Sequence, residues 1–191
     1  MEVGIVNMYG TNYECRYLIN AMLSLNITPH MIDGFNISEQ YVYNYIENSQ
    51  IKHWIFSGSA HDPTLHDSKN IPIGLLNLNE KHFMMICYSM ESVLKQLNCH
   101  ISKRKSVKKE LFKLHVPKHP IVQDLKNPLV LRRNHRWYFS RRAIKPPISL
   151  IASYDDEVMI AMYSNMLLLQ FHPEKSPDGK QLIERWLELS N

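Results

Sequence analysis

Short apolar runs alternate along the chain with stretches in which apolar residues recur every three or four positions, the pattern of strands interleaved with helices. Residues 4–9 (GIVNMY) read as a first strand and residues 10–12 as a turn. Tyr17, Leu18, Met22 and Leu25 then fall on one helical face. Residues 27–33 read as a second strand. Residues 38–48 read as a short helix, with Ser38 as its N-cap and Tyr41 and Tyr45 together on one face. A third strand, residues 53–58 (HWIFSG), runs into a polar loop over residues 59–70. Residues 83–87 (FMMIC) are apolar throughout, as in a strand buried on both faces at the centre of a sheet. Met90, Val93, Leu94 and Leu97 mark a helix directly after it, so Cys87 falls at a strand-to-helix turn.

Beyond that helix the pattern changes. Residues 103–118 (KRKSVKKELFKLHVPK) are strongly basic and read as a solvated loop with a strand such as LFKLHV, or as a contact for an anionic substrate or partner subunit. The runs LVLRR, ISLIASY, VMIAMYS and MLLLQFH follow, with turn residues at Asp155-Asp156 and Ser164-Asn165. They predict an antiparallel extension. A last helix is expected to start near Ser176-Pro177-Asp178, with proline at its first position and Leu182, Ile183, Trp186 and Leu187 on its apolar face. The predicted fold is α/β, an open and mostly parallel sheet with helices on both faces, in one domain over residues 1–191.

Composition narrows the function classes. The chain has 191 residues, 45% of them hydrophobic, which suits one globular domain. A net charge of +4 is too mild to call for nucleic acid. No apolar stretch is long enough to span a membrane, and residues 1–10 carry no signal-peptide pattern. Cys15, Cys87 and Cys99 make an odd, widely spaced set, which fits a reducing cytosol better than a disulfide framework. Neither a Cys/His zinc spacing nor a Gly-rich phosphate loop occurs, so no metal or cofactor is expected.

The candidate chemistry begins at Cys87. A cysteine at the tip of a strand and the start of a helix faces the positive end of the helix dipole, which favours thiolate. The amide of Tyr88 then points to where an oxyanion would form. On its own, such a cysteine is more often a core residue. The segment QFHPEKS (residues 170–176) changes the weighing. It ends a strand in His172, able to take a thiol proton and return it to a leaving amine, and places Glu174 two residues on to orient the ring.

These segments resemble a known family. QFHPEKS is similar to the C-terminal signature of class I, or triad, glutamine amidotransferases. FMMICYSMESVLKQLN resembles their nucleophile segment, and WIFSGSAHDP their oxyanion strand. The resemblance implies that Cys87 attacks the side-chain amide of glutamine and forms a γ-glutamyl thioester, with His172 as base and then acid and Glu174 orienting it. It implies an oxyanion hole from the backbone amides of Ser59 and Tyr88, and substrate contacts at Gly58, Glu91, Asn134 and His135. The last two sit in RRNHRW, which resembles a loop beside the glutamine. It also implies a separate synthase partner that receives the ammonia, as in GMP synthetase, anthranilate synthase or imidazole glycerol phosphate synthase. A stand-alone γ-glutamyl hydrolase and a non-catalytic module of the same fold are the alternatives.

Four positions depart from the family pattern Gly-x-Cys-x-Gly-x-Gln and its oxyanion strand. Met85 and Ser89 replace the two glycines around the nucleophile, and Ser59 replaces a glycine whose φ, if positive, a serine would resist. Glu91 replaces the glutamine. An ionised carboxylate there is expected to find Arg132, Arg133 or Arg136, or a backbone donor.

Overall fold

The computed structural model describes residues 1–65 and 68–189, and for residues 12–14 the backbone alone. Residues 66 and 67 of the expected polar loop lie outside it. The chain runs β1 (Glu2–Val6), α1 (Asn12–Ser24), β2 (Thr28–Ile32), α2 (Glu39–Asn48), β3 (His53–Phe56), β4 (His82–Ile86), α3 (Tyr88–Gln96), β5 (Ser102–Leu114), β6 (Leu129–Tyr138), β7 (Ser149–Tyr154), β8 (Glu157–Tyr163), β9 (Met166–Leu169) and α4 (Gly179–Leu189). One sheet of seven strands has the order β2-β1-β3-β4-β9-β8-β7, and β5 and β6 form a separate antiparallel pair. β2, β1, β3, β4 and β9 are parallel neighbours, while β8 and β7 extend the sheet antiparallel beyond β9.

Strand alternation explains why helices cover both faces. On one face Val3, Ile5, Ile55, Met84, Ile86, Leu167 and Leu169 pack with Leu18 and Met22 of α1 and Leu182, Ile183 and Trp186 of α4. On the other, Val6, Trp54, Phe56, Phe83, Met85 and Leu168 pack with Val42 and Ile46 of α2 and Val93 and Leu94 of α3. Each fully buried large apolar side chain contributes about 1.5–3 kcal/mol. β4, continuously apolar, lies between β3 and β9, in the middle of the sheet as its sequence predicts.

Three expectations need correction. The basic segment is not a loop leading to a short strand: residues 102–114 form one strand, paired with β6. RRNHRW is likewise strand, within β6. Tyr41 and Tyr45 do share a face of α2, as expected, and stack at 6.4 Å; that face is exposed, and Val42 and Ile46 meet the core. Finally, α4 starts at Gly179 rather than at residues 176–178. The two presumed capping side chains are spent elsewhere. Ser176 Oγ accepts the N–H of Arg132 at 2.8 Å and Asp178 Oδ2 accepts that of Val130 at 2.7 Å, both on β6.

Candidate active site

Cys87 closes β4 and caps α3 with φ 51° and ψ −106°. A residue with a side chain enters that region at a cost of order 1–3 kcal/mol, so its surroundings must impose it. They do so from two elements. Cys87 N–H donates to Leu169 O on β9 at 2.7 Å, and Cys87 O accepts the N–H of Glu91 in the first turn of α3 at 2.9 Å. Ser89 is fully buried, and its hydroxyl donates to Ser57 O just beyond β3 at 2.6 Å. The serine thus ties the elbow down where the resembling family has glycine. Met85 is absorbed by the core with Phe56 and Phe83.

Gly58 is where the nucleophile candidate and the histidine meet. A Cβ at this position would stand 2.9 Å from His172 Cε1, 2.9 Å from the Tyr9 hydroxyl and 3.6 Å from Cys87 Cβ. A side chain at this position would therefore collide with the imidazole and the Tyr9 hydroxyl, so the packing here requires glycine. Ser59 is not among the described residues with positive φ, so serine carries no left-handed strain there.

His172 Nδ1 lies 2.8 Å from Glu174 Oε1, and both side chains are buried. Because a carboxylate can only accept, His172 Nδ1 carries a hydrogen and donates it to Glu174, which leaves Nε2 as the ring nitrogen not taken up by this bond. His172 N–H donates to Arg132 O at 2.9 Å, fastening the histidine to β6. The same strand reaches the cysteine: Asn134 O lies 3.9 Å from Cys87 Sγ. Asn134 is exposed at the cavity, whereas His135 is buried. The His135 ring donates from Nδ1 to Trp137 O at 2.8 Å, and burial, with Arg133 and Arg104 adding to it, pushes its pKa down to about 4.

Glu91 does not find an arginine. It is buried, and its Oε1 accepts from Gln170 Nε2 at 2.8 Å. Arg133 is turned away to Glu157, buried with it, and to the exposed Glu110; the partly buried Arg104 also pairs with Glu157. Burial pushes the Glu91 carboxyl up to about 8. Burial first, and the Glu91 charge second, push the Cys87 thiol well above its usual range, while the N–H of Tyr88 opposes them. Since Glu91 keeps its proton at neutral pH, its repulsion of a thiolate belongs to the alkaline range.

The side chains surround a cavity of about 330 Å³ lined by Cys87, Glu91, Ser59, Asn134, Lys103 and Trp137 among others. The family model for class-I glutamine amidotransferases matches residues 5–188. The chain belongs to this family. Comparison with curated proteins finds no match. Among solved structures, this amidotransferase chain resembles a Thermoplasma acidophilum protein provisionally described as a GMP synthase subunit, at 15% identity and TM-score 0.79, covering 100% of this chain and 94% of that one. It also resembles a chain of PurLQS from Thermotoga maritima, at 13% identity and TM-score 0.71, covering 100% and 98%. At these identities the likeness speaks for the fold. Among the described residues of this amidotransferase, no helix is long and apolar enough to cross a membrane.

Sequence reasoning missed three features of the site. Gln170 belongs to the QFHPEKS signature, but nothing in that signature assigns its side chain a role. Lys103 and Trp137 reach the cavity mouth because the hairpin register sets them opposite each other, with the lysine 4.4 Å from the indole ring centroid. The ion cluster of Arg133 and Glu157 needs a contact across 24 residues, and no local signal announces it.

Proposed function

We propose that the chain is a glutaminase subunit that hydrolyses glutamine to glutamate and ammonia through Cys87, His172 and Glu174 and passes the ammonia to a separate synthase. His172 takes the thiol proton as Cys87 Sγ attacks the γ-carboxamide carbon. The amides of Ser59 and Tyr88 receive the oxyanion. The C–N bond breaks, His172 gives its proton to the leaving ammonia, and water then splits the thioester with His172 again as base. Glu174 holds the ring and supports its charge. Glu91, as a neutral acid, offers one O–H and one carbonyl oxygen, so it can meet glutamine with both a donor and an acceptor.

The observation that carries this reading is the strained backbone at Cys87 beside an imidazole already backed by a carboxylate. Strain of this kind persists where a function holds it. A glutamine-analogue electrophile with mass spectrometry tests the reading: label at Cys87, with glutamate and ammonia released from glutamine, is expected. Turnover of γ-glutamyl conjugates but not of glutamine would make it a stand-alone γ-glutamyl hydrolase. No label and no turnover, with or without a synthase, would make it a binding module.

A further inference from the structure

Gln170 has no part in the mechanism above, although it stands two residues before His172 and is fully buried. Its backbone N–H donates to Met159 O on β8 at 3.0 Å, which fixes the strand end from which the side chain projects. Nε2 lies 2.8 Å from Glu91 Oε1 and 4.0 Å from Cys87 Sγ. A carboxamide nitrogen carries two hydrogens, and here each has an acceptor of its own. The amide oxygen is buried and meets no donor among the described residues. In this orientation the amide nitrogen, not its oxygen, faces both Glu91 Oε1 and the sulfur.

We propose that Gln170 stabilises the Cys87 thiolate by donating one N–H to the sulfur, while its other N–H holds Glu91 in place beside the nucleophile. The proposal rests on the reading of Cys87 as nucleophile. The groups that act on this sulfur are Glu91 from α3 and Glu174 and Lys175 from the segment after β9; His172 stands nearby over Gly58, and His135 of β6 lies beyond it, its pKa lowered in part by His172. The two carboxyls oppose a negative sulfur, and Lys175 and the Tyr88 N–H favour it. Gln170 is a further favourable donor, and it also engages one of the opposing acids. No bond is made or broken at Gln170, so its effect falls on the thiol–thiolate balance and on the position of Sγ.

Alkylation of Cys87 by iodoacetamide, read by mass spectrometry from about pH 6 to 10, tests this alongside glutaminase kinetics. Gln170→Met keeps the side-chain length and removes the donor. It should slow alkylation roughly tenfold across this range and lower kcat in the same proportion. Gln170→Glu, close in shape, should shift the profile the same way and serves if the methionine variant does not fold. The loss should persist in a Glu91→Gln background, because the bond to sulfur is broken there too. Superimposed profiles overturn the proposal. A loss that vanishes with Glu91→Gln overturns the direct donation to sulfur. An unsubstituted chain whose Cys87 does not react at any pH removes the nucleophile reading and this proposal with it, an outcome distinct from the other two.

Discussion

Replacing Glu91 by glutamine exchanges one oxygen for nitrogen and removes one titration. In the unfolded chain the carboxyl ionises near the ordinary value of 4.5, whereas in the fold burial holds its proton until about pH 8. Below the lower value both states are protonated and the group costs nothing. Above it, folding must return a proton to Glu91, so the stability present at acid pH is lost as pH rises toward the folded value. The loss accumulates at about 1.4 kcal/mol per pH unit. It is on the order of 3 kcal/mol at pH 7 and levels off on the order of 5 kcal/mol above pH 8. Glu91→Gln is neutral in both states and keeps an oxygen for Gln170 Nε2, so it escapes the loss. Urea unfolding of both proteins, followed by tryptophan fluorescence at several pH values, gives the difference in unfolding free energy. That difference should be small at pH 4, climb through the middle range in favour of the variant, and become flat above pH 8. A difference that stays constant with pH would mean that Glu91 ionises normally inside the fold, and the neutral-acid account would be wrong.

Cys87→Ala should abolish glutamine hydrolysis while Cys15→Ala and Cys99→Ala retain it; ammonia release by the alanine variant at position 87 would end the proposed mechanism. Glu91→Gln should alkylate at Cys87 at nearly the unsubstituted rate at pH 7 and faster above pH 8, where the carboxylate charge otherwise opposes the thiolate; a slower alkaline rate would show that Glu91 assists the sulfur. Arg133→Met should cost about 3 kcal/mol in urea unfolding, since it strips a buried partner from Glu157; a cost under about 1 kcal/mol would mean that Arg104 alone satisfies that carboxylate. Reversing Lys105, Lys109 and Lys113 to glutamate should weaken association with a synthase in a salt-dependent way; unchanged affinity at low salt would mark the exposed face of β5 as merely solvated.

The elbow is legible in the sequence because both its sides carry strong local signals: an apolar run too uniform for an edge strand, then helical spacing that begins immediately after Cys87. The parallel order of the sheet follows from the same alternation. β6 is not legible as a strand at the site, because Arg132 to Trp137 (RRNHRW) are almost all polar or charged and present no apolar face. Their pairing with β5 spans a long connection that only the folded hairpin defines. Ser176 and Asp178 show the converse. Their sequence is a good helix cap, yet the same side chains satisfy β6 amides instead, a case of tertiary demand overriding local propensity. Helical spacing is enough to set Glu91 beside the cavity, but not to name its partner. Its neutral state follows from complete burial, which residue type alone does not disclose.

β6 touches both halves of the proposed chemistry, through Arg132 O on the His172 amide and Asn134 O on the Cys87 sulfur. Two carbonyls two residues apart on one extended strand are separated by a nearly invariant length of backbone. The strand therefore works as a ruler laid across the site, against which nucleophile and base are both gauged. Breathing of the main sheet that shifted β4 relative to β9 would meet this common reference before it altered the gap between thiol and imidazole. β5, paired with this ruler, exposes Lys105, Lys109 and Lys113, so a partner that grips them pulls on the strand that touches both groups.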